Sequence, residues 1–167
     1  MGMEVKSASQ AWHTAFTMAA AVGATVLYPG RNVLIVDFGT AVTIDLVTAD
    51  NTFRGGCISP GVTMRFRALH DYTAKLPLCA ATGGEGLSGL TTEEAIELGV
   101  MNGIAFEIEG YVTRMREKID GLRVIFTGGD AKFFVKRIKN TIFANCNLVF
   151  CGLNRILEYN ASEEHLD

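Results

Sequence analysis

The residues best suited to chemistry lie in 32–47, NVLIVDFGTAVTIDLV. An apolar run from Val33 to Val36 ends on Asp37. Phe38, Gly39 and Thr40 make a turn, and a second β-branched run (Val42, Thr43, Ile44) leads to Asp45. The pattern predicts a hairpin with a carboxylate, a glycine and a hydroxyl at its tip. Glycine reaches φ > 0 without steric cost and lets a ligand come close to the backbone. Aspartate offers a hard oxygen to a cation, and threonine offers a hydroxyl. A phosphate-and-cation site needs these groups.

Two other turns leave apolar runs in the same style. They are Gly55-Gly56 with Ser59-Pro60-Gly61, and Thr127-Gly128-Gly129-Asp130. In open α/β sheets, ligands bind beyond the strand ends. A Gly-Gly turn before a helix can cradle phosphate with backbone N–H groups. Three such exits favour a phosphate ligand over tight turns alone. Asp37-Phe38-Gly39 also matches the metal-binding tripeptide of protein kinases. The match is incidental, because the Gly-rich loop, the Val-Ala-Ile-Lys strand and the His-Arg-Asp loop are all missing.

These turns need a scaffold. An alanine-rich helix is expected at about 9–22, followed by a turn at Tyr28-Pro29-Gly30-Arg31. A signal peptide is the weaker reading of this start, since Glu4 offsets Lys6 and Trp12 and His13 interrupt the apolar run. Strands at 32–37, 41–47 and 52–58 form an antiparallel meander. A helix at 62–74 follows. Residues 75–89 are irregular, and such long loops are usually functional or disordered. Thr91 and Glu94 make a capping box that opens a long helix ending near Gly121. Gly99 and Gly103 lie one turn apart in it, which predicts a close backbone contact to offset their low propensity. A strand at 122–126, a helix at 131–138, a strand at 147–150 and a helix at 152–159 complete the chain. The order predicts an α/β sheet, antiparallel in its first part and parallel in its second.

Bulk composition narrows the class. The 167 residues are 49% hydrophobic and 20% charged, enough for one ordinary globular core. A net charge of -3 leaves no basic surplus to neutralise nucleic-acid phosphates. The apolar stretch near the start is too short to span a membrane. Cys57, Cys79, Cys146 and Cys151 lack zinc-like spacing and read as reduced thiols in a cytoplasmic protein. His13, His70 and His165 are isolated and read as solvated or packed side chains.

In order along the chain come Asp37-x-Gly39-Thr40-Ala41-x-Thr43-x-Asp45, Gly55-Gly56-x-Ile58-x-Pro60-Gly61, and Leu69 with Thr73-Ala74-x-Leu76-Pro77. Thr92-x-x-Ala95-Ile96-x-x-Gly99, Thr127-Gly128-Gly129-x-Ala131 and Leu148-x-x-x-Gly152-Leu153 follow. With this order and spacing, residues 19–160 resemble the C-terminal half of type III pantothenate kinases, also called the Bvg accessory factor family. The resemblance implies an actin/Hsp70/sugar-kinase-like (ribonuclease H-like) half-domain over 18–160, with 1–17 a non-matching leader and 161–167 a polar tail.

It also implies roles. Asp37 resembles the family's monovalent-cation ligand, for K⁺ or NH₄⁺. Gly39 and Thr40 resemble contacts to the ATP phosphates, and Gly128 and Gly129 resemble the turn beside adenosine. Thr92 resembles a pantothenate contact. The implied reaction is ATP- and Mg²⁺-dependent phosphorylation of pantothenate to 4′-phosphopantothenate, the first step of coenzyme A biosynthesis, by a cytoplasmic homodimer or higher oligomer. No nucleic-acid or membrane partner is implied.

One departure bears on catalysis. The family's Gly-x-Asp-Arg segment, with its general base, aligns near Phe16 and Thr17, and neither can take a proton as a base. Nor is the family's opening Asp-x-Gly-Asn-Thr turn among these residues. The chain alone is therefore expected to be inactive. The alternative is a non-catalytic dimerising or nucleotide-binding module of the same fold.

Overall fold

The computed structural model describes residues 4–5, 15–138, 142–145 and 147–163. Its centre is β2 (Val33–Phe38), which is apolar on both faces. Period-two alternation turns Leu34, Val36 and Phe38 into one core, and Val33 and Ile35 into another. Strand β2 turns through Gly39 and Thr40 into β3 (Ala41–Val47), which pairs antiparallel with β4 (Thr52–Pro60). These three strands are the expected meander.

On the other side of β2, β5 (Arg123–Thr127) and then β6 (Ile142–Ala144) add in parallel. A short β1 (Glu4–Val5) pairs in parallel with the far edge of β4. The sheet order is β1-β4-β3-β2-β5-β6, so the antiparallel and parallel parts meet at β2.

Helices cover both faces. The larger core packs α2 (Val62–Asp71), α3 (Thr92–Arg116) and α4 (Ala131–Phe134) on Leu34, Val36, Phe38, Val124 and Phe126. Phe38 stacks on Phe134 at 4.7 Å between ring centroids. The capping box opening α3 is present, with Thr91 Oγ1 accepting from Glu94 N–H at 3.2 Å. The smaller core packs α1 (Ala15–Leu27) and α5 (Leu148–Glu163) on Val33, Ile35, Val47 and Ile125. Residues 9–14 of the expected first helix lie outside the described residues, and α1 runs on to Leu27.

Several expectations are corrected. Asn147–Phe150 is no strand. Asn147 O accepts from Cys151 N–H at 2.9 Å, and α5 starts at Leu148. A short apolar run fits a buried helix as well as a strand, and Leu148 is wholly buried. The helix at 62–74 stops at Asp71. The helix after Gly129 is a single turn, 131–134.

Gly99 and Gly103 make no close backbone contact. A Cβ on Gly99 would meet nothing within 4 Å, and one on Gly103 only the Arg65 guanidinium, at 3.7 Å. The buried stripe of α3 runs instead along Ile96, Val100, Met101, Ile104, Ile108 and Val112. The glycine crossing is between α1 and α5. A Cβ on Gly152 would overlap Ala19 O and sit 2.9 Å from Gly23 N. Among the described residues, no helix is long and apolar enough to cross a membrane.

Candidate nucleotide and cation site

The register of the sheet assembles the tip. Asp37 stands opposite Thr43 on one neighbour strand and opposite Thr127 on the other. One row across three strands therefore reads hydroxyl, carboxylate, hydroxyl. Thr43 Oγ1 donates to Asp45 Oδ2 at 2.8 Å, which steadies the buried Asp45 beneath this row. A Cβ on Gly56 would come 2.9 Å from Asp45 Cα, so β4 passes the Asp45 backbone closely.

Two of the glycine turns meet at Asp37, and the third joins them at Thr40. Asp130 N–H donates to Phe38 O at 3.1 Å, joining the exit of β5 to the exit of β2. Gly128 has φ +90°, and a Cβ there would overlap Asp37 Oδ1 and lie 2.5 Å from Phe38 O. Gly61 N–H donates to Thr40 O at 3.1 Å, and a Cβ on Gly61 would lie 2.5 Å from Thr40 O. Asp37, Gly39, Thr40, Gly128 and Gly129 are thus one cluster. Gly39, Thr40 and Gly129 are exposed, and Asp37 is half-buried.

Electrostatics suit a cation. Burial pushes the Asp37 carboxyl above the ordinary aspartate value. No cationic side chain is paired with it among the described residues. A bound cation would offset that desolvation, and the nearby hydroxyl and carbonyl oxygens are hard ligands of the right type. Among the described residues no group of three or more His, Cys, Asp or Glu could hold a metal ion.

A cavity of about 330 Å³ opens beside the cluster. Its lining includes Val62, Thr63, Phe66 and Arg67 of α2, Leu78–Ala81 of the connecting segment, and Asp130 and Phe133. Asp130 links it directly to the Gly128-Gly129 turn. The volume and mixed lining suit part of a nucleotide.

The connection 72–91 is irregular, as expected, but it is tied down. Glu97 is 7% exposed, and its Oε1 accepts from the N–H groups of Thr82, Gly83 and Gly84 at 2.6, 2.8 and 3.0 Å. Thr82 Oγ1 donates to its Oε2 at 2.7 Å. Burial alone would raise the Glu97 pKa. Hydrogen bonds from the Thr82 hydroxyl and the three N–H groups outweigh it and hold the carboxyl below the ordinary glutamate value. Gly83-Gly84 thus wraps an internal carboxylate rather than an open site. Sequence reasoning missed Glu97 and the cavity. Glu97 had one available signal, a glutamate two residues before Gly99 and flanked by the apolar Ile96 and Leu98.

Thr92 is exposed at the first turn of α3. The structure does not bring it into the Asp37 cluster. Phe16 and Thr17 lie in the first turn of α1, the phenylalanine exposed and the threonine buried.

The family model described as Type III pantothenate kinase matches residues 3–114. The Type III pantothenate kinase of Flavobacterium psychrophilum is 45% identical over 142 residues, which is 85% of this chain and 59% of that protein. The chain spans about three-fifths of the length of the curated relatives it matches. Among solved structures, a Baf family protein from Campylobacter jejuni superposes with a TM-score of 0.67 at 21% identity, covering 96% of this chain and 70% of that one. The ADPNP-bound activator of the 2-hydroxyisocaproyl-CoA dehydratase from Clostridium difficile gives 0.51 at 16% identity, over 91% of this chain and 69% of that one. The fold is the actin/Hsp70/sugar-kinase-like one expected.

Proposed function

The chain belongs to the type III pantothenate kinase family, and from that membership we propose that the whole protein transfers the γ-phosphoryl group of ATP to pantothenate. ADP and 4′-phosphopantothenate are the products, and the reaction opens coenzyme A biosynthesis. The observation that carries this reading is the convergence of Gly39-Thr40 and Gly128-Gly129 on the half-buried Asp37 beside a cavity. Phosphoryl transfer asks for positioning and charge neutralisation more than for covalent chemistry.

The roles proposed are those the family resemblance implies. Gly39 and Thr40 present a backbone and a hydroxyl to the ATP phosphates. Gly128 and Gly129 carry the adenosine side, with the cavity between α2 and Leu78–Ala81 taking the base. Asp37 holds K⁺ or NH₄⁺, which supplies positive charge to the phosphates. Mg²⁺ accompanies ATP. Thr92 contacts pantothenate. We place residues 18–160 in one domain of a cytoplasmic homodimer or larger assembly, and the expected leader and tail are not separate from it, since β1 joins its sheet and α1 and α5 begin and end beyond those bounds.

The test is ADP release by the whole protein with pantothenate, ATP, Mg²⁺ and K⁺. Release that depends on pantothenate supports the reading, and release without that dependence removes pantothenate as the acceptor. One observation favours a second reading, a non-catalytic nucleotide-binding module: Phe16 and Thr17 stand near the place the resemblance gives to the base. ATP binding with no ADP release would select it.

A further inference from the structure

Glu97 sits in the apolar stripe of α3, between Ile96 and Leu98, both buried. A carboxylate there is costly unless its hydrogen bonds are complete, and an apolar side chain would stabilise a plain helix-packing site as well or better. Here the carboxylate is surrounded. Three successive N–H groups, 82 to 84, converge on one oxygen, and the Thr82 hydroxyl takes the other. Successive N–H groups aimed at one point form an anion nest, and this one is filled from within the chain.

The same segment is held from its other side. Arg137 donates to Gly84 O and to Asn102 Oδ1, and Asn102 Nδ2 donates to Gly86 O at 2.8 Å. Residues 82–86 are thus pinned. Immediately before them, Leu78–Ala81 form a wall of the cavity, with Leu78 56% exposed. Of these four, Cys79 and Ala81 pack partly buried against the larger core, while Leu78 and Ala80 are exposed.

We propose that Glu97 is a positioning residue for the nucleotide: by filling the 82–84 nest it fixes the wall 78–81 against α2 and keeps the cavity in its binding shape. This rests on the ATP-binding reading above. The side chain does not touch the cavity. It acts through the strap, so its loss leaves the Asp37 cluster intact and lowers affinity rather than removing a chemical group.

The test compares Glu97→Gln, Thr82→Val and Val112→Ala in this chain, using calorimetry with MgATP and amide hydrogen exchange at 78–86. Val112 is buried in the same helix, remote from the strap, and serves as the stability control. Glu97→Gln is expected to weaken MgATP by about tenfold and to raise exchange at Thr82–Gly84. Thr82→Val loses one of the four bonds and is expected to show a smaller shift of the same sign, which keeps the test open should Glu97→Gln fold poorly. Val112→Ala is expected to lower the melting temperature with ATP affinity unchanged. If Glu97→Gln and Thr82→Val raise exchange but bind MgATP like the parent chain, Glu97 only secures a loop and the proposal falls alone. If the parent chain binds no MgATP, this proposal and the nucleotide reading fall together.

Discussion

Gly128 lies so close to Asp37 that any side chain at 128 would overlap the carboxylate. Asp37 is in β2 and Gly128 follows the last residue of the neighbouring parallel strand β5, at the exits where ligands bind in sheets of this kind. Gly128→Ala also meets a φ of +90°, which costs about 1–3 kcal/mol for a residue with a Cβ. The expected outcome is a lower melting temperature and loss of detectable ATP binding, read by thermal denaturation and calorimetry. A variant with unchanged ATP affinity would break the link between this turn and the nucleotide.

Asp37→Asn probes the cation. The folded-state pKa of Asp37 is raised, so the folded state holds its proton more tightly than the unfolded chain. With no cation bound, its contribution to stability is therefore highest below the unfolded value of 3.8 and is lost as pH rises through the folded pKa. Removing the charge is expected to raise the melting temperature at neutral pH in buffer free of K⁺ and NH₄⁺. It is also expected to abolish stabilisation by added K⁺. A K⁺ response that survives in Asp37→Asn would move the cation elsewhere.

Glu97 slopes the other way. Its folded pKa lies below the ordinary 4.5, so its contribution is complete above that value and is lost as pH falls through the folded pKa. Hydrogen exchange at Thr82–Gly84, corrected for intrinsic rates, is expected to rise on acidification below about 4.5. No such rise is expected in Glu97→Gln.

Thr92→Val separates the substrates. In the whole protein it is expected to raise the KM for pantothenate by about tenfold, the effect of one lost hydrogen bond to a polar group, with the KM for ATP unchanged. A change in the ATP term instead would place Thr92 on the nucleotide side.

Gly152→Ala tests the frame. Its Cβ would overlap Ala19 O across the α1–α5 crossing. Overpacking of this kind costs about 1–3 kcal/mol, seen as a lower denaturation midpoint. Ala substitution at Gly99, where nothing lies within 4 Å, is expected to be neutral or stabilising.

The hairpin was legible because its signals are local. Apolar alternation, a two-residue turn and β-branched runs all act within neighbours, and Val33–Val47 folds accordingly. The capping box of α3 was legible for the same reason. The convergence of three turns was only half legible, since each turn announces itself but strand order decides which ones meet. The α1–α5 crossing was not legible, because Gly23 and Gly152 are far apart in sequence and nothing local pairs them. Glu97 was hidden likewise. Its partners Thr82, Gly83 and Gly84 belong to an irregular segment whose path no periodicity encodes. Asn147–Phe150 misled because four apolar-rich residues carry too few turns to show a period.

The central question is whether the Asp37 cluster grips ATP. Amide chemical shifts of this chain, followed during titration with MgATP in KCl, test that directly. The predicted result is saturable change centred on Gly39, Thr40, Gly128 and Gly129, extending to Leu78–Ala81 and absent in Gly128→Ala. No change on saturation with MgATP, or change confined to residues remote from these turns, would contradict it.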